Sequence, residues 1–364
     1  MSSLAIGRGL LGGLGHTVRE AGLNGRVFLV GDDRVYPLFG DRAVEGLRSS
    51  GFDVTSTIVP SGEPTKSMPF AEKLYDWLIE NRAERGDTIV ALGGGMVGDL
   101  VGFVAATFLR GVPLVQIPTT VLSQIDSSIG GKVAVNHRKG KNLIGAFYPA
   151  RLIVADVDTL GSLPPRELAS GWAEAIKCAM ILDAPLLDVL FENAAGFCDP
   201  TSALFQSDLL VQVVERCARH KVVVVEEDER EANLRMILNY GHTIGQGLEA
   251  ALNYEVLLHG EAVSIGMTAA AWLSVERGRL SWAEAQRQRA VLERFGLPTE
   301  FPQGVMAPSV DAVLENLARD KKALGSRLRW VLLDRIGHAV IDGNVPIDLV
   351  RAAIDRSLVP ELVK

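Results

Sequence analysis

Three residues far apart in the chain, Glu174, His242 and His259, are of the types that hold a catalytic divalent metal. A His₂Glu set with open positions for substrate is a common catalytic zinc constellation. Neither histidine sits on an apolar stripe. A lone histidine is more often structural than ligating, so the long spacing leaves both readings open. Glu174, Lys177 and Cys178 stand at i, i+3 and i+4 and share one helical face. The plain reading of Glu174 and Lys177 is a surface ion pair; the sharper one is a metal ligand beside a substrate contact. Cys178 runs into apolar Ala179 and Met180 and reads as a core cysteine.

His242 belongs to a second pattern. On one helix over 231–252, Arg235, Asn239, His242, Gln246 and Glu249 step by four, three, four and three, and fall on one face. A solvated face would be rich in Lys and Glu. This one carries an Arg, two amides, a His and a Glu, with Gly241, Gly245 and Gly247 beside them. Each glycine costs about 1 kcal/mol in a helix interior, so the pattern predicts close packing or access to a site. Lys221, Arg235, Lys321 and Lys322 add cations near polar helical faces. Gathered beside a metal, they expect a ligand with several negative charges. His16, His137, His220 and His338 read as structural or exposed.

Gly93-x-Gly95-x-x-Gly98 follows a strand pattern and opens a helix, the context of a dinucleotide phosphate loop. Glycines let backbone approach a pyrophosphate, and the helix start offers free N–H groups. The alternative is a tight strand-to-helix turn. Gly7-x-Gly9-x-x-Gly12 also matches, with hardly any strand pattern before it, and reads as a turn. The acidic residue expected about 20 positions after the loop is missing, so the standard Rossmann fingerprint is incomplete. From Ser127 to Asn142, two glycines precede Lys132, and Lys141-Asn142 follow. With Arg110 and Lys139 this suits a phosphate or carboxylate ligand, or equally an exposed loop with solvated lysines.

The elements that must position these residues fall into two halves. Strand patterns at 26–31, 54–59, 88–92, 113–117 and 152–156 alternate with helical ones, which predicts a mostly parallel α/β sheet. From about Pro164, helical periods dominate at 165–182, 184–196, 202–227, 231–252, 260–277, 282–294 and 309–319, with a possible hairpin at 328–333 and 338–341. The reading is an α/β domain over 1–160 and a mainly α-helical domain over 161–364, with the cleft between two such halves a common place for a small molecule.

The chain has 364 residues, 22% of them charged, and a net charge of −7, with ample core for two medium domains. The acidic balance argues against a general nucleic-acid binder, and no apolar run approaches a membrane span. The N-terminus lacks a basic start before its apolar part and reads as mature protein. Three widely spaced cysteines, Cys178, Cys198 and Cys217, give neither a disulfide framework nor a CxxC metal pattern; a reducing cytoplasm is the default.

Taken together these blocks resemble the 3-dehydroquinate synthase family of the sugar-phosphate cyclases over nearly the whole length. The resemblance rests on SGEPTKS (61–67), ALGGGMVGDLVGFVAATFLRG (91–111), IPTTVLSQIDSSIGGKVAVN (117–136) and GKNLIGAFYPA (140–150). It continues through GWAEAIK (171–177), DEREANLRMILNYGHTIG (228–245), LLHGEAVSIGM (257–267) and DKK (320–322). It implies a Rossmann-like NAD-binding α/β domain followed by a helical metal-binding domain. It also implies conversion of 3-deoxy-D-arabino-heptulosonate 7-phosphate to 3-dehydroquinate and phosphate by transient NAD⁺ oxidation, phosphate β-elimination, reduction, ring opening and an intramolecular aldol.

Residue by residue, the resemblance makes Glu174, His242 and His259 the ligands of Zn²⁺ or Co²⁺. Asp32, Glu63, Lys66, Gly94, Gly95, Met96, Val97, Gly98, Asp99, Thr119 and Thr120 match NAD⁺ contacts, as do Lys132, Lys141, Thr159, Leu160, Gly161 and Ser162. Asp126, Lys132, Asn142, Lys177, Lys221, Arg235, Asn239 and Gln246 match active-site positions. Lys221 and Arg235 match the pair that holds the substrate carboxylate; Lys132 and Asn142 match phosphate contacts, as does one of Lys321 and Lys322, with Lys322 favoured. Arg110 matches an arginine that reaches the neighbouring subunit's site, which implies a homodimer. At Gln246 the family usually carries a second histidine; Gln can donate a hydrogen bond but cannot titrate near neutral pH. Another sugar-phosphate cyclase, or a metal-dependent NAD alcohol or glycerol dehydrogenase, shares the plan. The dehydrogenase would not need Lys132, Lys141, Lys177, Lys221 and Arg235 together.

Overall fold

The computed structural model describes residues 2–230, 233–322 and 329–358, with 318–322 as backbone alone. The chain forms two compact units: Met1–Leu163 with Asp208–Glu226, and Pro164–Ser207 with Glu227–Lys364. A single cut near 160 leaves out the return of 208–226 to the first unit. Periodicity shows that a helix has an apolar stripe, not which body covers it.

In the first unit, strands β1 (Ser3–Gly7), β2 (Val27–Asp32), β3 (Val54–Val59), β4 (Thr88–Gly93) and β5 (Leu114–Pro118) share a six-stranded sheet with β8 (Leu152–Asp156). β6 (Lys132–His137) and β7 (Gly140–Phe147) form a separate antiparallel hairpin. The large sheet runs β1-β8-β5-β4-β2-β3, every pair parallel. Its inner strands β2, β4, β5 and β8 are buried on both faces, as a helix-covered parallel sheet requires. Their side chains sort by parity. Phe28, Val30, Ile89 and Ala91 meet α3 (Met68–Glu80) and α4 (Gly95–Thr107) on one face. Val27, Leu29, Val90 and Leu92 meet α1 (Leu14–Glu20) and α2 (Tyr36–Arg48) on the other.

The chain then makes α5 (Pro165–Leu182) and α6 (Ala184–Phe197) of the second unit and returns as α7 (Asp208–Glu227). Ala218 and Val222 of α7 pack into the α3–α4 face of the first unit. The second unit continues with α8 (His242–Ala251), α9 (His259–Glu276), α10 (Trp282–Arg294), α11 (Val310–Lys322), the antiparallel hairpin β9 (Trp330–Arg335) and β10 (His338–Asp342), and α12 (Ile347–Leu358). Ile244 and Leu248 of α8, Ile265 and Leu273 of α9, Val313 of α11 and Ile354 of α12 share one core.

Several expectations change. A strand, β1, does lead into Gly7-Arg8-Gly9, where the sequence shows hardly any strand pattern; pairing with β8 supplies its hydrogen bonds. The 127–142 region contains a hairpin arm rather than a plain loop, signalled by buried Val133 and Val135 at period two. The helix expected over 202–227 starts at Asp208, and α12 adds a helix beyond those expected. The single helix over 231–252 is broken. Leu234–Asn239 is a 3-10 turn, Tyr240 is extended, and Gly241 is left-handed at φ 79°, capping α8. A Cβ at Gly241 would lie 2.5 Å from Met267 Cγ and 2.8 Å from the Val263 carbonyl. Close approach of α9 therefore demands the glycine, and the five-residue stripe is not one helical face.

Candidate active site

Glu174, His242 and His259 meet in the second unit although they arise from α5, α8 and α9. One ligand atom from each lies within 4.8 Å of the others. His242 Nε2 is 3.5 Å and His259 Nε2 3.4 Å from Glu174 Oε1. Lys177, one turn along α5, pairs with Glu174 Oε2. Glu174 is 2% exposed and Lys177 3%, so this is no surface ion pair. Neither Glu174 oxygen completes a well-formed hydrogen bond. The carboxylate thus has an ion pair but unfilled acceptor positions, and two imidazole nitrogens beside the same oxygen fit the donor set of a divalent cation.

Electrostatics prepare the same atoms. Burial alone would raise the Glu174 carboxyl, but Lys177 and the two imidazoles outweigh it and hold the group well below the ordinary carboxylate range. Burial, reinforced by Lys177, pushes His242 down to about 3, so its ring is neutral at neutral pH. Burial also opposes charge on His259, yet its contacts with the Glu174 and Glu249 carboxylates raise it to about 9.

Each ring is oriented. His242 Nδ1 lies 3.2 Å from the Tyr240 carbonyl, and the Tyr240 hydroxyl donates to Gln288 Oε1 at 2.7 Å. His259 opens α9, whose start is closed by Glu261: its Oε2 accepts from the Leu258 amide at 2.8 Å. Arg166 holds the Glu261 carboxylate from both sides, at 2.6 and 2.7 Å. Arg235 is buried at 2% exposure, and its Nη1 donates to the Glu229 carbonyl at 2.6 Å. Asn239 is half-buried in the 3-10 turn, and Gln246 is exposed on α8. The side chain of Lys322 lies outside the described residues.

In the first unit, β2 and β4 are neighbours at the point where strand order reverses, where open α/β sheets bind ligands at their C-terminal ends. Gly93 and Asp32 close those two strands. Asp32 Oδ1 accepts from the Arg34 and Val35 amides at 2.9 Å and so turns the chain into α2. Gly95 begins α4, with Met96, Val97, Gly98 and Asp99 in its first turns. A Cβ on Gly98 would lie 2.8 Å from Gln116 Oε1, so this glycine lets the helix approach the sheet. The earlier glycine motif is a turn, as read: the Asp156 carboxylate accepts from the Gly9 and Leu11 amides at 3.0 and 3.1 Å.

Beside the loop, Lys66 pairs with Asp99 at 2.5 Å. Burial pushes Asp99 up, against the pull of Lys66. Asn136, which sequence reasoning did not single out, ties the Glu63 turn to the β6–β7 hairpin. Its amide donates to Glu63 Oε1 at 2.7 Å, and its own Oδ1 accepts from the Asn142 amide at 2.9 Å. Lys141 stands 4.0 Å from Glu63. Lys132 is exposed at the start of β6. The Thr120 and Ser123 hydroxyls bond each other at 2.8 Å, and the Thr119 amide donates to Gly93 at 3.0 Å. Thr159 is buried, donating to the Asp156 carbonyl at 2.7 Å, and shares the 3-10 turn Val157–Ser162 with Leu160 and Gly161.

Lys221 of α7 pairs with the Asp126 carboxylate and donates to the Asp126 carbonyl at 2.8 Å. The return of α7 thus puts Lys221 in the first unit. Arg110 is exposed, and Leu109, Arg110 and Gly111 have φ of 48°, 67° and 113° in succession.

Residues 56–170 match the model of the 3-dehydroquinate synthase N-terminal region, and residues 171–323 match that of its C-terminal region. The chain belongs to the 3-dehydroquinate synthase family. A 3-dehydroquinate synthase of Picosynechococcus sp. is 43% identical over 347 residues, 95% of this chain and 93% of that one. Among solved structures, the chain is similar to 2-epi-5-epi-valiolone synthase of Streptomyces hygroscopicus subsp. jinggangensis with NAD⁺ and Zn²⁺ bound. That likeness has a TM-score of 0.87 at 28% identity, covering 97% of this chain and 96% of the other. It is also similar to a 2-deoxy-scyllo-inosose synthase complexed with carbaglucose-6-phosphate, NAD⁺ and Co²⁺, with a TM-score of 0.86 at 27% identity, covering 98% and 96%. The glycine loop lies within the stretch that matches the N-terminal model, and the Glu-His-His cluster within the stretch that matches the C-terminal one. Among the described residues no helix is long and apolar enough to cross a membrane, and all three cysteines are free thiols.

Proposed function

We propose that the chain is a 3-dehydroquinate synthase, a carbon–oxygen lyase using NAD⁺ and Zn²⁺ or Co²⁺. Its substrate is 3-deoxy-D-arabino-heptulosonate 7-phosphate and its products are 3-dehydroquinate and phosphate. The observation that carries this reading is the buried Glu174 carboxylate facing two imidazoles in a chain 43% identical to a 3-dehydroquinate synthase over nearly its whole length.

The Gly93–Asp99 loop, with Glu63, Lys66, Thr119, Thr120, Lys141 and the Thr159 turn, would hold NAD⁺. Glu174, His242 and His259 would hold the metal. When bound, NAD⁺ supplies a reversible hydride acceptor and the metal supplies Lewis-acid polarisation. The remaining work of the chain is positioning and charge stabilisation. Lys221 and Arg235 take the substrate carboxylate; Asp126 and the Glu229 carbonyl already orient their charged ends. Lys132, Asn142 and Lys322 take the phosphate, and Lys177 and Asn239 take substrate oxygens. The leaving phosphate accepts the proton of the β-elimination, so no strong dedicated base is required. A homodimer in which Arg110 serves the neighbouring site fits its exposed, left-handed turn. The setting is cytoplasmic, with no nucleic-acid or membrane partner.

A carboxylate-binding pair separates this reading from cyclases acting on uncarboxylated sugars. Supplying the heptulosonate phosphate with catalytic NAD⁺ and Zn²⁺ should release phosphate and form 3-dehydroquinate in equal amounts. Absence of dehydroquinate at every metal loading would overturn the proposal. Net consumption of NAD⁺ with a simple polyol would point to a dehydrogenase.

A further inference from the structure

His259 uses its two ring nitrogens on opposite partners. Nε2 is 3.4 Å from Glu174 Oε1, inside the ligand cluster, and Nδ1 is 3.2 Å from Glu249 Oε2. Glu249 comes from the last turns of α8 and is 8% exposed. His242 is held differently, since its Nδ1 meets the neutral carbonyl of Tyr240. The backbone of His259 is fixed without Glu249, because Glu261 and Arg166 close the start of α9. What remains free is the rotation of the imidazole, and Glu249 reaches the atom that controls it.

We propose that Glu249 is a positioning residue of the metal centre: it accepts the Nδ1–H of His259 and so presents the Nε2 lone pair to the cation. A carboxylate at this place fixes the tautomer and raises ligand basicity, as a carbonyl does more weakly. It also sets a second buried negative charge behind the cluster, in addition to that of Glu174, which pairs with Lys177 on α5. The packing of α8 on α9 makes the contact possible. A Cβ on Gly245 would lie 2.8 Å from the Ala262 carbonyl, so only glycine lets the helices come this close. The proposal rests on the metal reading given above.

The test is metal affinity, measured on apoprotein prepared by chelation. Co²⁺ is titrated by its visible absorption and Zn²⁺ by chelator competition, on the parent, Glu249→Ala and Glu249→Gln. Glu249→Ala should bind both ions about 10- to 100-fold more weakly. Glu249→Gln, which keeps an acceptor but loses the charge, should fall between it and the parent. NAD⁺ affinity should not move. In the Zn²⁺-loaded parent, nitrogen-detected NMR should find the His259 proton on Nδ1. Parent-like affinity in both variants, or a proton on Nε2, would overturn the role of Glu249 alone. A parent that binds neither ion would overturn the metal reading itself, and this proposal with it. If Glu249→Ala does not fold, Glu249→Gln decides, and parent-like affinity there counts against the proposal.

Discussion

Gly266 of α9 faces Gly241 at the start of α8 so closely that a Cβ on Gly266 would lie 1.9 Å from the Gly241 carbonyl oxygen. Backbone cannot yield as a side-chain tip can. Gly266→Ala should therefore separate the two helices that carry His242 and His259. The expected cost is about 2–4 kcal/mol, seen as a lower Tm, together with weaker metal binding. An unchanged Tm would mean that α8 and α9 can part without penalty.

His242→Ala removes one imidazole and leaves Glu174 buried beside Lys177 and His259. Metal content and activity should fall together, with the loss of activity exceeding 100-fold. Metal analysis of the purified variant alongside its rate checks this. Full activity without bound metal would refute the ligand assignment.

Gln246 is exposed on α8, so a ring at this position meets no packed core. Gln246→His should leave stability within about 0.5 kcal/mol and keep or raise turnover, with a new titration near neutral pH in the rate profile. Complete loss of activity would show that the amide has a role of its own.

Asp342 at the end of β10 is buried at 6% exposure. Burial raises its carboxyl, but the Asn344 amide and the guanidinium groups of Arg277 and Arg279 outweigh this and lower it overall. A lowered folded pKa means that stability is present above the unfolded value of about 4 and is lost as pH falls through the folded one. Asp342→Asn should cost about 1 kcal/mol at pH 7, since both arginines are partly solvated. The Tm gap to the parent should narrow as the pH approaches 2. A constant gap from pH 7 to pH 2 would exclude this ion cluster as its source.

Much of this was legible in the chain itself. The parity of Val27 to Val30 and Ile89 to Leu92 marks a sheet covered on both faces, because apolar residues continue without a polar partner in alternation. Glu174 and Lys177 were visible as a pair, but whether they face solvent or core depends on the rest of α5 being buried, which the i, i+3 spacing does not express. The stripe from Arg235 to Glu249 failed at Gly241. A left-handed cap and a tolerated helix glycine look alike until a neighbour such as Met267 is known to lie against it. Asn136 escapes a reading of the sequence because its side-chain bond to Glu63 spans 73 residues, and no local pattern reports such a bridge.

The return of α7 has a consequence for synthesis. Ribosomes deliver the sheet strands early, yet the body they belong to is completed only when Asp208–Glu226 emerges. Until then the face that receives Ala218 and Val222 is open to water, while Pro164–Ser207 of the other body has already appeared. The half-made chain thus has an interval of exposed apolar surface whose length is set by elongation rate. Slow codons in that excursion would lengthen the interval, and a separately expressed 1–163 fragment would never leave it.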